Sequence, residues 1–445
     1  MVIQSPIYEI FKIVSADGQT EVSIDDAQFR VTDISYYENI LSPNITGKVT
    51  IFSTIGAVKS ASDTQNRLGS LYSSLPLEVG CEILMKIKDT IGNGLDFSSK
   101  NNVHKRLYVN KVQVIDKSSN SEIIQLNFVS MIGWLDTIQR VTRHFEGRIT
   151  ESIRSILTNE LKLSSDKIMI DDSSNSYSFA GMTKRPFDLI AMLAKQTIPQ
   201  NTANPGYFSY ETKSGFKFLS ADTLINSEPY NRKYYYDWFN ESSYQSSSDI
   251  NDYKIKSLVV SKDQNLLSQI RSGVYANKTI FFNPATNAFT EVDISVDNDK
   301  LYKNPRFSTL GKKLKIPKIL KEEFNSGNRF HRVETAILNV GAASENVEVN
   351  NSPEFYYAAT STRYNLLFSQ KHSITIPGNT DLEAGDVLDI EIEDISSKKE
   401  FGPDQSQSGR YIIEGLCHYF NSEESITFIN LIRDSYGLHV SKNIQ

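Results

Sequence analysis

Cysteine is almost absent: Cys81 and Cys417 are the only two in 445 residues. A disulfide framework is therefore not supported, and buried reduced thiols are the simpler expectation. Long apolar runs are missing as well. No stretch approaches the roughly 18 apolar residues that a membrane helix needs, so no membrane insertion is expected. The opening Met1-Val-Ile-Gln-Ser-Pro-Ile-Tyr8 has neither a basic segment nor a long apolar one. It does not read as a signal peptide, and synthesis and folding in a cytoplasm are expected. There is no excess of basic charge either. Lys and Arg number 47 against 53 Asp and Glu, a net charge of −6, which disfavours generic nucleic-acid or anionic-membrane binding.

The recurrent catalytic signatures are missing too. The chain has no Walker loop, no strand–Gly-x-Gly-x-x-Gly–helix unit, no Gly-x-Ser-x-Gly elbow and no His-Glu-x-x-His pair. The six histidines are scattered, and only Cys417-His418 puts two soft ligands side by side. Neighbours on a strand point to opposite faces, so that pair is a poor chelate. Asp293 to Asp299 resembles the front of a calcium loop. Asn298 stands where such a loop needs glycine and Asn304 where it needs glutamate. A solvated turn is the better reading. No catalytic residue, metal or cofactor is expected, and the chain reads as not an enzyme.

What the chain does have is a repetition. Leu77-Glu-Val-Gly80 opens a strand-like run to Asp89, and Leu382-Glu-Ala-Gly385 opens one of the same length to Asp394. Arg106-Leu-Tyr-Val109 starts a second run 26 residues after Gly80; Arg410-Tyr-Ile-Ile413 starts its counterpart 25 residues after Gly385. Each is followed by a polar turn and another alternating run. Two distant copies suggest a duplicated β-domain rather than a fixed-period array. Gly80 and Gly385 are expected to shape equivalent turns.

Aromatic residues are plentiful, with 22 Tyr and 23 Phe. Such rings suit strands and also packed, wet-edged interfaces. Period-two runs split by Gly, Asn and Ser predict a β-barrel over 1–138. One-face apolar spacing then predicts a helix capped by Thr150. Pro186 suits the first turn of a second helix, and a hairpin follows around Lys213-Ser-Gly215. Residues 139–228 therefore read as a small α+β domain. Residues 229–330 read as a strand-rich segment with a tyrosine-rich stretch and an irregular basic arm, whose lysine run from Lys312 to Lys321 is a solvated linker face. Residues 331–445 read as a second β-barrel, completing one begun in 229–296. The ring-dense run Tyr234, Tyr235, Tyr236, Trp238 and Phe239 is too crowded to hide on one strand face. It is expected to serve an intersubunit or interdomain contact.

The fold class is thus mainly β with a small α+β part: two tandemly duplicated antiparallel barrels separated by the α+β domain and an irregular arm. With the 185–194 helix, the 206–211 hairpin strand, the Ile376–Asp386 turn and the Gly409–Glu414 strand, this order of parts resembles the baseplate hub protein of T-even-type contractile-tailed phages. It is similar in plan to the hub halves of type VI secretion spike proteins. The resemblance implies tail-tube-like barrels and a homotrimer whose six barrels form a pseudo-sixfold ring. It implies a central spike protein, tail-tube or tube-terminating proteins and neighbouring baseplate proteins as partners. It places the protein in the virion, in the tail baseplate, with DNA passing through the lumen without specific binding. The alternatives are a β-rich tail-associated cell-wall hydrolase or a glycan-binding adhesin.

Overall fold

The computed structural model describes residues 5–23, 29–54, 58–59, 68–69, 71–74, 77–89, 91–202, 204–237, 252–262, 264–284, 286–295, 307–312, 314, 317–318, 321–322, 332–337, 356–394 and 403–437. The alternating runs form strands. In the first unit these are β1 (Ile7–Val14), β2 (Phe29–Asn39), β3 (Thr46–Thr54), β4 (Glu82–Lys88), β5 (Leu107–Lys117) and β6 (Ser121–Ser130). They pair antiparallel in the order β2-β3-β6-β5-β4-β1. Alternate side chains share a face, and Ile124, Leu126 and Phe128 of β6 are buried on one of them. The same core takes Ile34 and Tyr36 from β2 and Phe11 and Ile13 from β1, the opposite ends of that order. The sheet therefore curls until its two ends share one interior, as a barrel does.

The α+β part follows. It contains α1 (Met131–Ile138), α2 (Ile149–Asn159), α3 (Pro186–Ala194), the hairpin β7 (Tyr207–Thr212) and β8 (Gly215–Ser220), and α4 (Ala221–Asn226). Ile153, Ile156 and Leu157 of α2 pack with Leu189, Ile190 and Leu193 of α3 and Phe216 and Phe218 of β8. Pro186 does stand in the first turn of α3. A neighbouring helix supplies the cap: the Phe187 N–H donates to the Asp136 carboxylate of α1 at 2.7 Å. This satisfies one of the N–H groups that a helix start leaves without a partner. Thr150 does not cap α2. It lies inside the helix, and its hydroxyl is 3.2 Å from that of Ser173.

The second unit is assembled from distant pieces. They are β9 (Tyr234–Tyr236), β10 (Ser257–Lys262) and, after an excursion, β14 (Gln370–Pro377), β15 (Val387–Ile392), β16 (Gly409–Asn421) and β17 (Ser425–Arg433). Their order is β10-β14-β17-β16-β15-β9. The excursion carries β11 (Ala276–Asn283), β12 (Ala288–Ser295), β13 (Arg332–Ile337) and α5 (Tyr357–Leu367). The second barrel was expected to resume at residue 331, and here the structure differs. β13 pairs in parallel with β11 in a separate three-stranded sheet. The place beside β14 is already filled by β10, so β13 satisfies its backbone elsewhere.

The repetition in the sequence is a repetition of backbone hydrogen bonds. Gly80 N–H donates to Val109 at 2.8 Å, Val109 N–H returns to Cys81 at 2.8 Å, and Cys81 N–H closes on Glu78 at 3.3 Å. Gly385 donates to Ile413 at 2.9 Å, Ile413 returns to Asp386 at 2.8 Å, and Asp386 closes on Glu383 at 3.2 Å. One residue past each acceptor the ladder skips a residue, Asn110 in β5 and Glu414 in β16. Bulges of this kind bend a strand and are part of its design. The units are joined edge to edge. The first part of β16 pairs with β15, and the part from Gly415 to Asn421 pairs with β2 from Asn39 to Asp33.

The capping of α3 by Asp136 can be tested directly. Asp136→Ala should lower unfolding stability by roughly 1–2 kcal/mol, read as a shift of the denaturation midpoint. An unchanged midpoint would show that the contact contributes nothing.

Candidate functional site

A buried polar cluster lies where the first unit, the β7–β8 hairpin and the Gly385 turn meet. Strand alternation puts Glu38 on the inward face of β2 with Ile34 and Tyr36. Its carboxylate accepts from Tyr36 Oη at 2.8 Å, from the Lys213 N–H at 2.7 Å and from the Ala384 N–H at 3.0 Å. One side chain thus ties three segments together. Glu383 accepts from Lys217 Nζ and Ser214 Oγ, each at 2.8 Å. The Lys213 ammonium donates to the Thr380 carbonyl. Glu211, at the end of β7, accepts from the Ile45 N–H at 3.0 Å and from the Ser130 hydroxyl, both in the first unit. A second bridge runs between loops: the Asn93 and Gly94 N–H groups donate to Asp381 and Thr380 at 2.8 and 2.9 Å.

Burial shapes the charges in this cluster. It pushes the Glu38 carboxyl up, and the neighbouring Glu383 pushes it further. Burial raises Glu211 to about 8, so this carboxyl is mostly protonated at neutral pH. Burial opposes ionisation of Glu383 too, but Lys217 and Lys213 outweigh it and hold that carboxyl below its usual value. Burial and Lys213 lower the His418 imidazole to about 3, so it is neutral and acts as a packed ring stacked on Tyr36 at 6.0 Å. These groups are spent on one another and on backbone N–H groups. The cluster is a fastener: Glu38 and Glu383 are occupied, and Glu211 bonds through Oε2 while its Oε1 is buried without a partner. Among the described residues, no group of three or more His, Cys, Asp and Glu is placed to hold a metal ion.

A second fastener lies deeper. Arg363 of α5 donates to Asp222 of α4 at 2.6 Å and has Asp434 at 3.6 Å, with all three side chains buried. The sequence reading missed it, because its members lie 141 and 71 residues apart. Glu38 was missed as well, yet it had a signal. The inward sequence Ile34, Tyr36, Glu38 puts an acid on an apolar face, where it requires partners.

The residues singled out from the sequence fall in several places. Gly80 and Gly385 both adopt positive φ, +101° and +88°, in the two equivalent turns. Their surroundings differ. A Cβ on Gly80 would meet only Ala16, at 3.7 Å, whereas one on Gly385 would collide with the Tyr210 hydroxyl. Tyr234 is corrected by the structure. It is fully buried in the core of the second unit, with its hydroxyl accepting from Asn379 at 2.9 Å, so it does not reach a neighbouring subunit. Alternation on β9 turns Tyr234 inward, and Tyr235 and Tyr236 are half-buried. Trp238 and Phe239 lie outside the described residues. Cys81 is buried and Cys417 half-buried, and neither forms a disulfide.

With this geometry in view, the architecture can be placed among known ones. No protein-family model matches the chain, and no curated protein matches it either. Solved structures do. The chain shares its fold with solved tail proteins. The 43 kDa tail protein of prophage MuSo2 from Shewanella oneidensis matches with a TM-score of 0.53 at 10% identity, over 96% of this chain and 98% of that one. A tail protein from Neisseria meningitidis MC58 matches with a TM-score of 0.50 at 9% identity, over 96% and 97%.

Two measurements test the cluster. Gly385→Val should destabilise the fold by roughly 3 kcal/mol or more, through strain and the collision with Tyr210. Gly80→Val, which meets backbone strain but no collision, should cost less, roughly 1–3 kcal/mol. Equal losses in urea unfolding would contradict the difference. Glu211 has a raised pKa in the folded protein, so its contribution to stability is full below the unfolded carboxyl value of about 4.3. It is lost as pH rises through about 8. Glu211→Gln should therefore remove a decline in stability across that window. A wild-type-minus-variant difference that stays flat with pH would refute the assignment.

Proposed function

We propose that this chain is the structural baseplate hub of a contractile phage tail. In this reading it is a homotrimer whose six barrel units form a pseudo-sixfold ring between the tail tube and a central spike. The observation that carries the proposal is the repeated hydrogen-bond pattern at Gly80 and Gly385 in two units joined side by side by β2 and β16. A chain that presents one module twice supplies two stations per copy, so three copies supply six. Such a ring needs head-to-tail contacts that close. The fold shared with a prophage tail protein and a second tail protein supports the setting.

The work is then mechanical. The buried fasteners hold the two units at a set angle, and the ring matches a sixfold tube to a threefold spike. No turnover is involved. The spike, the tube and neighbouring baseplate proteins are the partners, and the virion is the location.

Light scattering with negative-stain imaging of the same peak tests this. The expected result is roughly 150 kDa, three chains of 50.3 kDa, as annular particles with six similar lobes. A mass of two or four chains without an annulus would overturn the hub.

A further inference from the structure

We propose that copies of this chain join through the β5 edge of one and the β10 edge of the next, with Val114 opposite the partner copy's Val260. This deepens the ring proposed above and rests on it only in requiring contact between copies.

The inference follows from the internal repeat. β6 with β5 has the same ladder as β17 with β16. Phe128 faces Val109 and Leu431 faces Ile413; after the bulges, Ile124 faces Val114 and Thr427 faces His418. Val114 is therefore the counterpart of His418. The other flank gives a second equivalence. Phe128 faces Gly47, which faces Tyr36; Leu431 faces His372, which faces Val260. Val260 is the counterpart of Tyr36, and by the same count Val259 is that of Ser35.

Within the chain, His418 pairs with Tyr36 and Tyr419 with Ser35 across the β16–β2 junction. The same junction has a second, open instance. Among the described residues, β5 beyond Val109 pairs only with β6, and β10 pairs only with β14. Copying the register places Val114 on Val260 and, past a second bulge that skips Ile115, Asp116 on Val259.

Exposure supports the copy. Tyr36 and His418, in the filled junction, are 0% and 1% exposed. Val114 and Val260, at the same positions of the open one, are each 38% exposed, and Val259 beside them is 59% exposed. Val114 and Val260 stand on two open edges among the described residues, and the transferred register brings these two apolar side chains face to face. Bare apolar edges are a liability that proteins usually avoid, and covering them with a second copy resolves it. The contact joins unlike edges, so it is head-to-tail and propagates until a ring closes.

Cysteine pairing tests the register. The full chain would be made as Val114→Cys, as Val260→Cys, and as both, then oxidised mildly at high protein concentration. The unsubstituted chain is the control for its native thiols. Neither single variant should cross-link with itself. A mixture of the two should give a two-chain band, and the double variant a closed multi-chain species. Self-linking by one single variant would show a like-with-like contact and overturn the proposal. So would an annular assembly in which no mixture links, and that result would leave the hub reading standing. Monomers throughout, with no cross-link at any concentration, would overturn both. An independent readout is Val260→Asp, which should abolish the assembled species while far-UV circular dichroism stays unchanged. Assembly that survives Val260→Asp would also overturn the register.

Discussion

One strand belongs to two sheets at once, and the rest of the architecture depends on it. β16 begins as a member of the second unit, paired with β15. It bends at Glu414 and finishes as the neighbour of β2 in the first. Main-chain hydrogen bonds are directional and costly to leave unmade when buried. The two units therefore cannot turn about each other without breaking a ladder from Gly415 to Asn421. A flexible linker would have left their angle open. A shared strand makes that angle a property of the fold.

The buried acids act on the same constraint from the side. Glu38 receives N–H groups from the β7–β8 hairpin and the Gly385 turn, and Glu211 receives one from the first unit. Buried ionisable groups are weak sources of net stability, because desolvation offsets most of their attraction. Their value is geometric. A misplaced hairpin would leave a carboxylate or an N–H buried without a partner, so wrong arrangements are penalised more than the right one is rewarded. The Arg363–Asp222 pair applies the same logic between α5 and α4.

Much of the first unit was legible because its strands are local. Leu107 to Val129 reads as a hairpin from alternation and a Ser-Asn turn, and it is one. Pro186 announced α3, and the Leu-Glu-x-Gly echo announced the repeat. The misreadings share a cause. β13 alternates like a barrel strand, and alternation alone does not say which sheet a strand joins. The rings at 234–236 were assigned by crowding, while one inward position sufficed to bury Tyr234. Thr150 had the chemistry of a cap but found a nearer use with Ser173. Glu211 and Arg363 find partners far away in the chain, where neither spacing nor composition points.

The β2–β16 junction also has a consequence for time. Its strands lie far apart in the chain: Asp33 pairs with Asn421, and β3 to β15 are all made between them. At about 5–20 residues per second, a ribosome needs roughly 20–80 s to travel from one to the other. The first unit can collect β3 to β6 early, from nearby sequence. Throughout that interval its β2 edge waits without a neighbour, and a crowded polysome holds many such edges. The same edge-to-edge chemistry that orders the finished molecule is then available between nascent ones. The last strands to leave the ribosome decide whether each chain closes on itself or on another.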